Sequence, residues 1–103
     1  MLDKEAALNT VKQYAEIVRR EFFPAAVVMF GSYVNGTPHE YSDIDVGIIF
    51  DGFNGNRYEA ATRLWHLSSE INLNIEPHLL DIKKDKSGFA QHVLKTGQII
   101  YKQ

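Results

Sequence analysis

Two aspartates one residue apart, Asp43 and Asp45, follow a Gly31-Ser32 pair that ends an apolar run. Side chains alternate along a strand, so an extended Ser42-Asp43-Ile44-Asp45-Val46 segment points both carboxylates one way and Ile44, Val46 and Ile48 toward the core. Two like charges roughly 7 Å apart repel by on the order of 2 kcal/mol at an effective dielectric of about 20. A divalent cation would remove that repulsion. Upstream, a glycine at a strand-to-helix turn lets a phosphate approach the backbone. The serine after it offers a hydroxyl and the free N–H groups of a helix N-terminus. Phosphates held at one point and Mg²⁺ at another is the layout of nucleotide chemistry. The plain alternatives are two solvated aspartates at a strand start and a serine that only caps a helix.

The surrounding elements must hold these residues together. Leu8, Val11, Ala15, Val18 and Phe22 recur at spacings of three and four, which predicts an amphipathic helix from about Asp3 to Glu21, closed by Pro24. Ala25 to Phe30 is a continuous apolar run ended by Gly31, the pattern of a strand buried on both faces. A short helical turn over Ser32 to Asn35, then a loop from Gly36 through Thr37 and Pro38, leads to a second strand ending at Phe50. Asn56 and Glu59 resemble a capping box opening a helix with Ala60, Leu64, Leu67 and Ile71 on its inner stripe. Alternation from Ile71 to Leu80 predicts a half-buried strand, and Pro77 places it at an edge or a bulge. Ser87 can cap a last helix through Phe89, Val93 and Leu94, with Gly97 ending it before a strand from Gln98 to Tyr101. Trp65 and the phenylalanines are expected in the core.

With 103 residues the chain is expected to be one domain, residues 1–103, with no room for a second, substrate-selecting domain. A net charge of −2 with interspersed signs shows no footprint for duplex nucleic acid. The absence of cysteine excludes disulfides and thiolate metal sites. No signal-peptide pattern and no apolar run of membrane-spanning length is present, so a cytoplasmic protein without membrane contact is expected. The four histidines lack His-x-x-x-His spacing, which argues against zinc; His78 alone shares a face with Glu76.

Gly31-Ser32 with Gly36, spaced ahead of Ser42-Asp43-Ile44-Asp45, resembles the signature of the nucleotidyltransferase superfamily that includes DNA polymerase beta, and especially its minimal nucleotidyltransferase (MNT) branch. The resemblance covers nearly the whole chain. It implies an α/β fold, a small mixed β-sheet packed against helices. It also implies Mg²⁺-dependent transfer of a nucleoside monophosphate, AMP from ATP or another nucleoside triphosphate, to a hydroxyl with release of pyrophosphate. A two-metal site is expected, with Asp43 and Asp45 as metal ligands and Gly31 and Ser32 holding phosphates. The family places its third carboxylate on the next strand, where Glu76 lies on the polar face. That residue is most often aspartate, so Glu76 either completes the metal site or takes the acceptor's proton. Asp81 is its rival. Arg57 and Arg63 could neutralise a triphosphate, although helix-surface arginines are commonly just solvated. Ser42 is assigned no chemistry.

MNT domains are often encoded beside a small helical HEPN toxin, so the resemblance also implies a partner protein as acceptor and an antitoxin role. A second reading is a non-catalytic module that retains the nucleotide pocket, or only its fold, and neutralises its partner by covering it. An antibiotic-modifying transferase is weakened by the chain's length. A homo-oligomer stays open.

Overall fold

A computed structural model describes residues 3–36 and 43–103. The expectations for Thr37, Pro38 and Ser42, and His39 with them, fall outside the described residues. Helix α1, Lys4–Phe22, begins where the Asp3 carboxylate accepts the Ala6 N–H at 2.7 Å. It buries Ala7, Val11, Tyr14, Ala15 and Val18. It ends at Phe22, two residues before Pro24, because Phe23 turns left-handed at φ 54° and donates its N–H to the Arg19 carbonyl. Phe23 is therefore turned out, 73% exposed, against the expectation that the phenylalanines are core.

Strand β1, Ala26–Phe30, is buried on both faces, as the unbroken apolar run implies. Then follow α2, Ser32–Asn35, and β2, Ile44–Phe50. Helix α3, Arg57–Ile71, opens on Asn56, whose side chain accepts the Glu59 N–H at 3.0 Å. Its inner face holds Ala60, Leu64 and Leu67, with Ile71 packed on the core's margin. Trp65, one position beyond Leu64, is rotated away from that face and is 49% exposed, so its expected core placement is corrected.

Strand β3, Ile75–Asp81, starts later than its alternation suggests, because α3 keeps Ile71 and Asn72 to Asn74 form the turn. After a 3₁₀ turn, Ile82–Lys84, come α4, Phe89–Thr96, and β4, Gln98–Lys102. Ser87 is not the principal cap of α4. Gly88 occupies the cap position, and the Asp85 carboxylate reaches over the turn to accept from Ala90 N and Gln91 N at 2.9 and 3.0 Å. Ser87 Oγ accepts only a long 3.3 Å bond from Phe89 N.

The sheet order is β3-β2-β1-β4; β1 is antiparallel to β2 and β4, and β2 is parallel to β3. Pro77 thus sits on an edge strand, where a missing N–H is tolerated. Alternation splits the core in two. Val27, Met29, Ile44, Val46, Ile48 and Ile75 meet α1 and α3 on one face. Ala26, Val28 and Ile49 meet Val93 of α4 on the other. The buried Tyr14 hydroxyl donates to the Leu64 carbonyl at 2.9 Å and ties α1 to α3. Gly97 lets α4 end against β1, since a Cβ there would overlap Val28 and lie 2.7 Å from the Val93 carbonyl oxygen. No described helix is long and apolar enough to cross a membrane.

Candidate functional site

The register of the sheet assembles the acidic residues. Asp45 is opposite Phe30 on β1 and opposite Glu76 on β3, and Gly47 is opposite His78. Asp45, Glu76 and His78 therefore share the α4 face of the sheet, at the end where β1 gives way to α2. His78 Nε2 lies 3.1 Å from Asp45 Oδ1, and one ligand atom from each of the three falls within 4.8 Å of the others. Their side chains are partly exposed, so a ligand has access. Asp43, exposed just before β2, also borders Glu76.

The electrostatics are those of crowded anions. Burial, then the neighbouring Asp45 carboxylate, pushes the Glu76 carboxyl above the usual carboxylate range; Asp43 adds to the effect and His78 opposes it. Three carboxylates with one imidazole suit a hard divalent cation, which takes oxygen ligands and offsets their repulsion. The donor set thus fits a metal.

Gly31 sits at φ +82° and ψ −150°, a region essentially reserved for glycine. A Cβ on it would overlap Asp45 Oδ2. The strand end and the carboxylate are therefore in close approach, which only glycine permits. Gly31, not Ser32, takes the N-cap position of α2, so the Ser32 side chain is not the cap considered from the sequence. Ser32 is the first helical residue, where backbone amides lack acceptors within the helix.

Asp81 lies at the far end of β3, paired with Phe50, and is only 4% exposed. Its carboxylate accepts from Gly52 N, Phe53 N and Lys83 N at 3.0, 2.8 and 2.9 Å. Those bonds, led by the one from Phe53, hold its carboxyl below the usual range. It pins two turns and lies about 16 Å along the strand from Glu76. Arg57 donates to the Leu79 carbonyl and Arg63 pairs bidentately with Glu21, both on α3, which packs on the opposite face.

Sequence reasoning did not anticipate the aromatic support. The Phe30 ring lies 5.1 Å from that of His78 and 5.7 Å, edge-on, from that of Phe89. Beside it a cleft of about 280 Å³ opens between α2 and α4, bordered by Gly31, Asn35, Phe89, His92 and Thr96. Strand alternation placed His78 with Glu76, but no local pattern links α2 to α4. A larger, shallower concavity of about 420 Å³ at Trp65 and His66 lies on the outer face of α3 and, among the described residues, has no carboxylate in its lining.

The family described as polymerase beta nucleotidyltransferase matches residues 12–103. No curated protein matches the chain. Among solved structures, a candidate nucleotidyltransferase from Sulfolobus solfataricus is similar at 24% identity and a TM-score of 0.71, over 97% of this chain and 84% of that one. A toxin–antitoxin structure with AMP-PNP is similar at 25% identity and TM-score 0.60, over 89% and 73%. The complex of a tri-AMPylated Shewanella oneidensis HEPN toxin with its MNT antitoxin shares the fold at 21% identity and TM-score 0.54, over 91% and 73%.

Proposed function

The chain belongs to the polymerase beta-type nucleotidyltransferase family, consistent with a minimal domain of it, and from that premise we propose that it transfers AMP from ATP to a hydroxyl on a partner protein. The observation that carries this reading is the pairing of Asp45 with Glu76 across parallel strands, with Gly31 packed against the Asp45 carboxylate. Asp43, Asp45 and Glu76 would hold Mg²⁺, which when bound supplies charge neutralisation along the triphosphate and polarises the attacking hydroxyl. Gly31 leaves the backbone open to phosphate, and Ser32 offers its hydroxyl beside the first amides of α2. His78 acts as a positioning residue, fixing Asp45 through its 3.1 Å contact while its ring rests on Phe30.

In the transfer the acceptor oxygen attacks the α-phosphorus and the bond to pyrophosphate breaks. The acceptor proton leaves to Glu76 or to solvent, and pyrophosphate carries away the displaced charge. The AMP-PNP in one similar toxin–antitoxin structure and the AMPylated toxin in another favour a HEPN-type partner as acceptor and an antitoxin role for this chain.

The test is incubation with labelled ATP, Mg²⁺ and the product of the adjacent gene. AMP should add to a Tyr, Ser or Thr of that partner and raise its mass. Asp43→Asn should stop transfer while leaving the protein complex largely intact, because the carboxylates act on phosphate charge and not on docking. A tight complex with no transfer under any metal or triphosphate would replace the enzymatic reading with that of a binding module.

A further inference from the structure

The cleft between α2 and α4 is a second compartment of the same site, unused by the chemistry above. Gly31 forms the wall it shares with the Asp45 carboxylate, Asn35 lies on α2, and Phe89, His92 and Thr96 project from α4. At about 280 Å³ it falls just below the roughly 300–1,000 Å³ of clefts that enclose a whole small-molecule ligand, so it suits one ring system and not an entire nucleotide. Phe89 remains 41% exposed although its ring meets Phe30 edge-on. An aromatic surface is thus left facing the opening. Phe30 in turn touches His78, which bonds Asp45, so the aromatic wall is continuous with the acidic cluster.

The polar groups at the rim narrow the ligand class. The Thr96 hydroxyl is committed to the His92 carbonyl at 2.8 Å. Asn35 and His92, both exposed and without a side-chain hydrogen bond among the described residues, offer a ligand's edge an amide and an imidazole. A partly exposed aromatic ring beside such groups suits a flat heteroaromatic ring, by aromatic contact and by hydrogen bonds at its edge. Among the described residues, no carboxylate, lysine or arginine borders this cleft.

We infer that the cleft receives the base of the donor nucleotide, stacked on Phe89 with its edge toward Asn35 and His92. This rests on the nucleotide-site reading above, since phosphates at Gly31 place the base within reach of the shared wall. Affinity should be measured for ATP with Mg²⁺ and for tripolyphosphate with Mg²⁺, a probe with the same phosphates and no base. The protein should bind ATP about tenfold or more tightly than tripolyphosphate, the scale of one base–aromatic stack. Phe89→Leu, which keeps apolar bulk, and His92→Ala, at an exposed position, should each shrink that advantage without changing tripolyphosphate affinity. Equal affinities in the unaltered protein, or an ATP advantage that survives both variants, would overturn the inference and leave the phosphate and metal assignment standing. Binding of neither probe would overturn that assignment and this inference with it. An intact ATP advantage with a raised KM for a protein acceptor would give the cleft to the acceptor instead.

Discussion

Gly31 and Asp45 form a coupled pair whose meaning depends on the contact between them. From the sequence, Gly31 is a place for phosphate to approach; in the structure it is also the residue that makes room for the Asp45 carboxylate. Gly31→Ala should therefore lower stability as well as nucleotide affinity, by about 1–3 kcal/mol from backbone strain and overlap together. In an Asp45→Ala background the overlap is gone and only the strain remains. Urea denaturation of the single and double variants should give a coupling energy of about 1 kcal/mol or more; additive effects would refute the contact. Asp81 belongs to a different class of residue. Its folded-state carboxyl is depressed below its unfolded value of about 3.9, so its stabilisation is present above that value and is lost as pH falls through the folded one. Asp81→Ala should lose about 3 kcal/mol near neutral pH, since three backbone donors lose their acceptor. The deficit relative to the unaltered protein should shrink once the pH lies below both values, while nucleotide binding by the folded fraction should persist.

Helix α4 is the element on which the open face of the sheet depends. It spans eight residues, too few to stand alone, and is held by the Asp85 cap, by Val93 in the smaller core and by the close approach at Gly97. Asp85→Ala should destabilise by about 1–2 kcal/mol, and Ser87→Ala by well under half of that, because the aspartate takes two amides at good distance and the serine one at 3.3 Å. Thermal denaturation of the two variants ranks them; the reverse order would restore Ser87 as the cap. Gly97→Ala should cost about 1–3 kcal/mol by overpacking against Val28 and the Val93 carbonyl, and backbone dihedrals are not the cause, since φ there is −82°.

At the scale of the whole molecule, the proposed metal and nucleotide sites should report through global stability, because a ligand that binds only the folded chain raises it by mass action. ATP with Mg²⁺ at about one hundred times its Kd should add about 2.7 kcal/mol, whereas ATP with a chelator should add little. Asp43→Asn combined with Asp45→Asn should abolish the difference, and an Mg²⁺-dependent shift that survives in the double variant would remove these residues from the site.

Local pattern was sufficient for most elements whose information is carried by neighbours in sequence, the caps of α2 and α4 excepted. The apolar stripe of α1, the unbroken run of β1, the Asn56 cap of α3 and the alternation around Asp45 and Glu76 follow from helix and strand periods. So did the edge position of Pro77, since a proline lacks the N–H an inner strand needs. Exposed aromatics escaped that reasoning: Phe23 and Trp65 are apolar by type, but a left-handed cap and a single step around the helix turned them outward. The sequence by itself determined which carboxylates share a face. Only the tertiary structure decided their partners, because β2 and β3 are joined through α3 and pair in parallel, a register no local rule specifies. That register set Glu76 beside Asp45, brought His78 onto the same carboxylate and carried Asp81 to the opposite end of the strand.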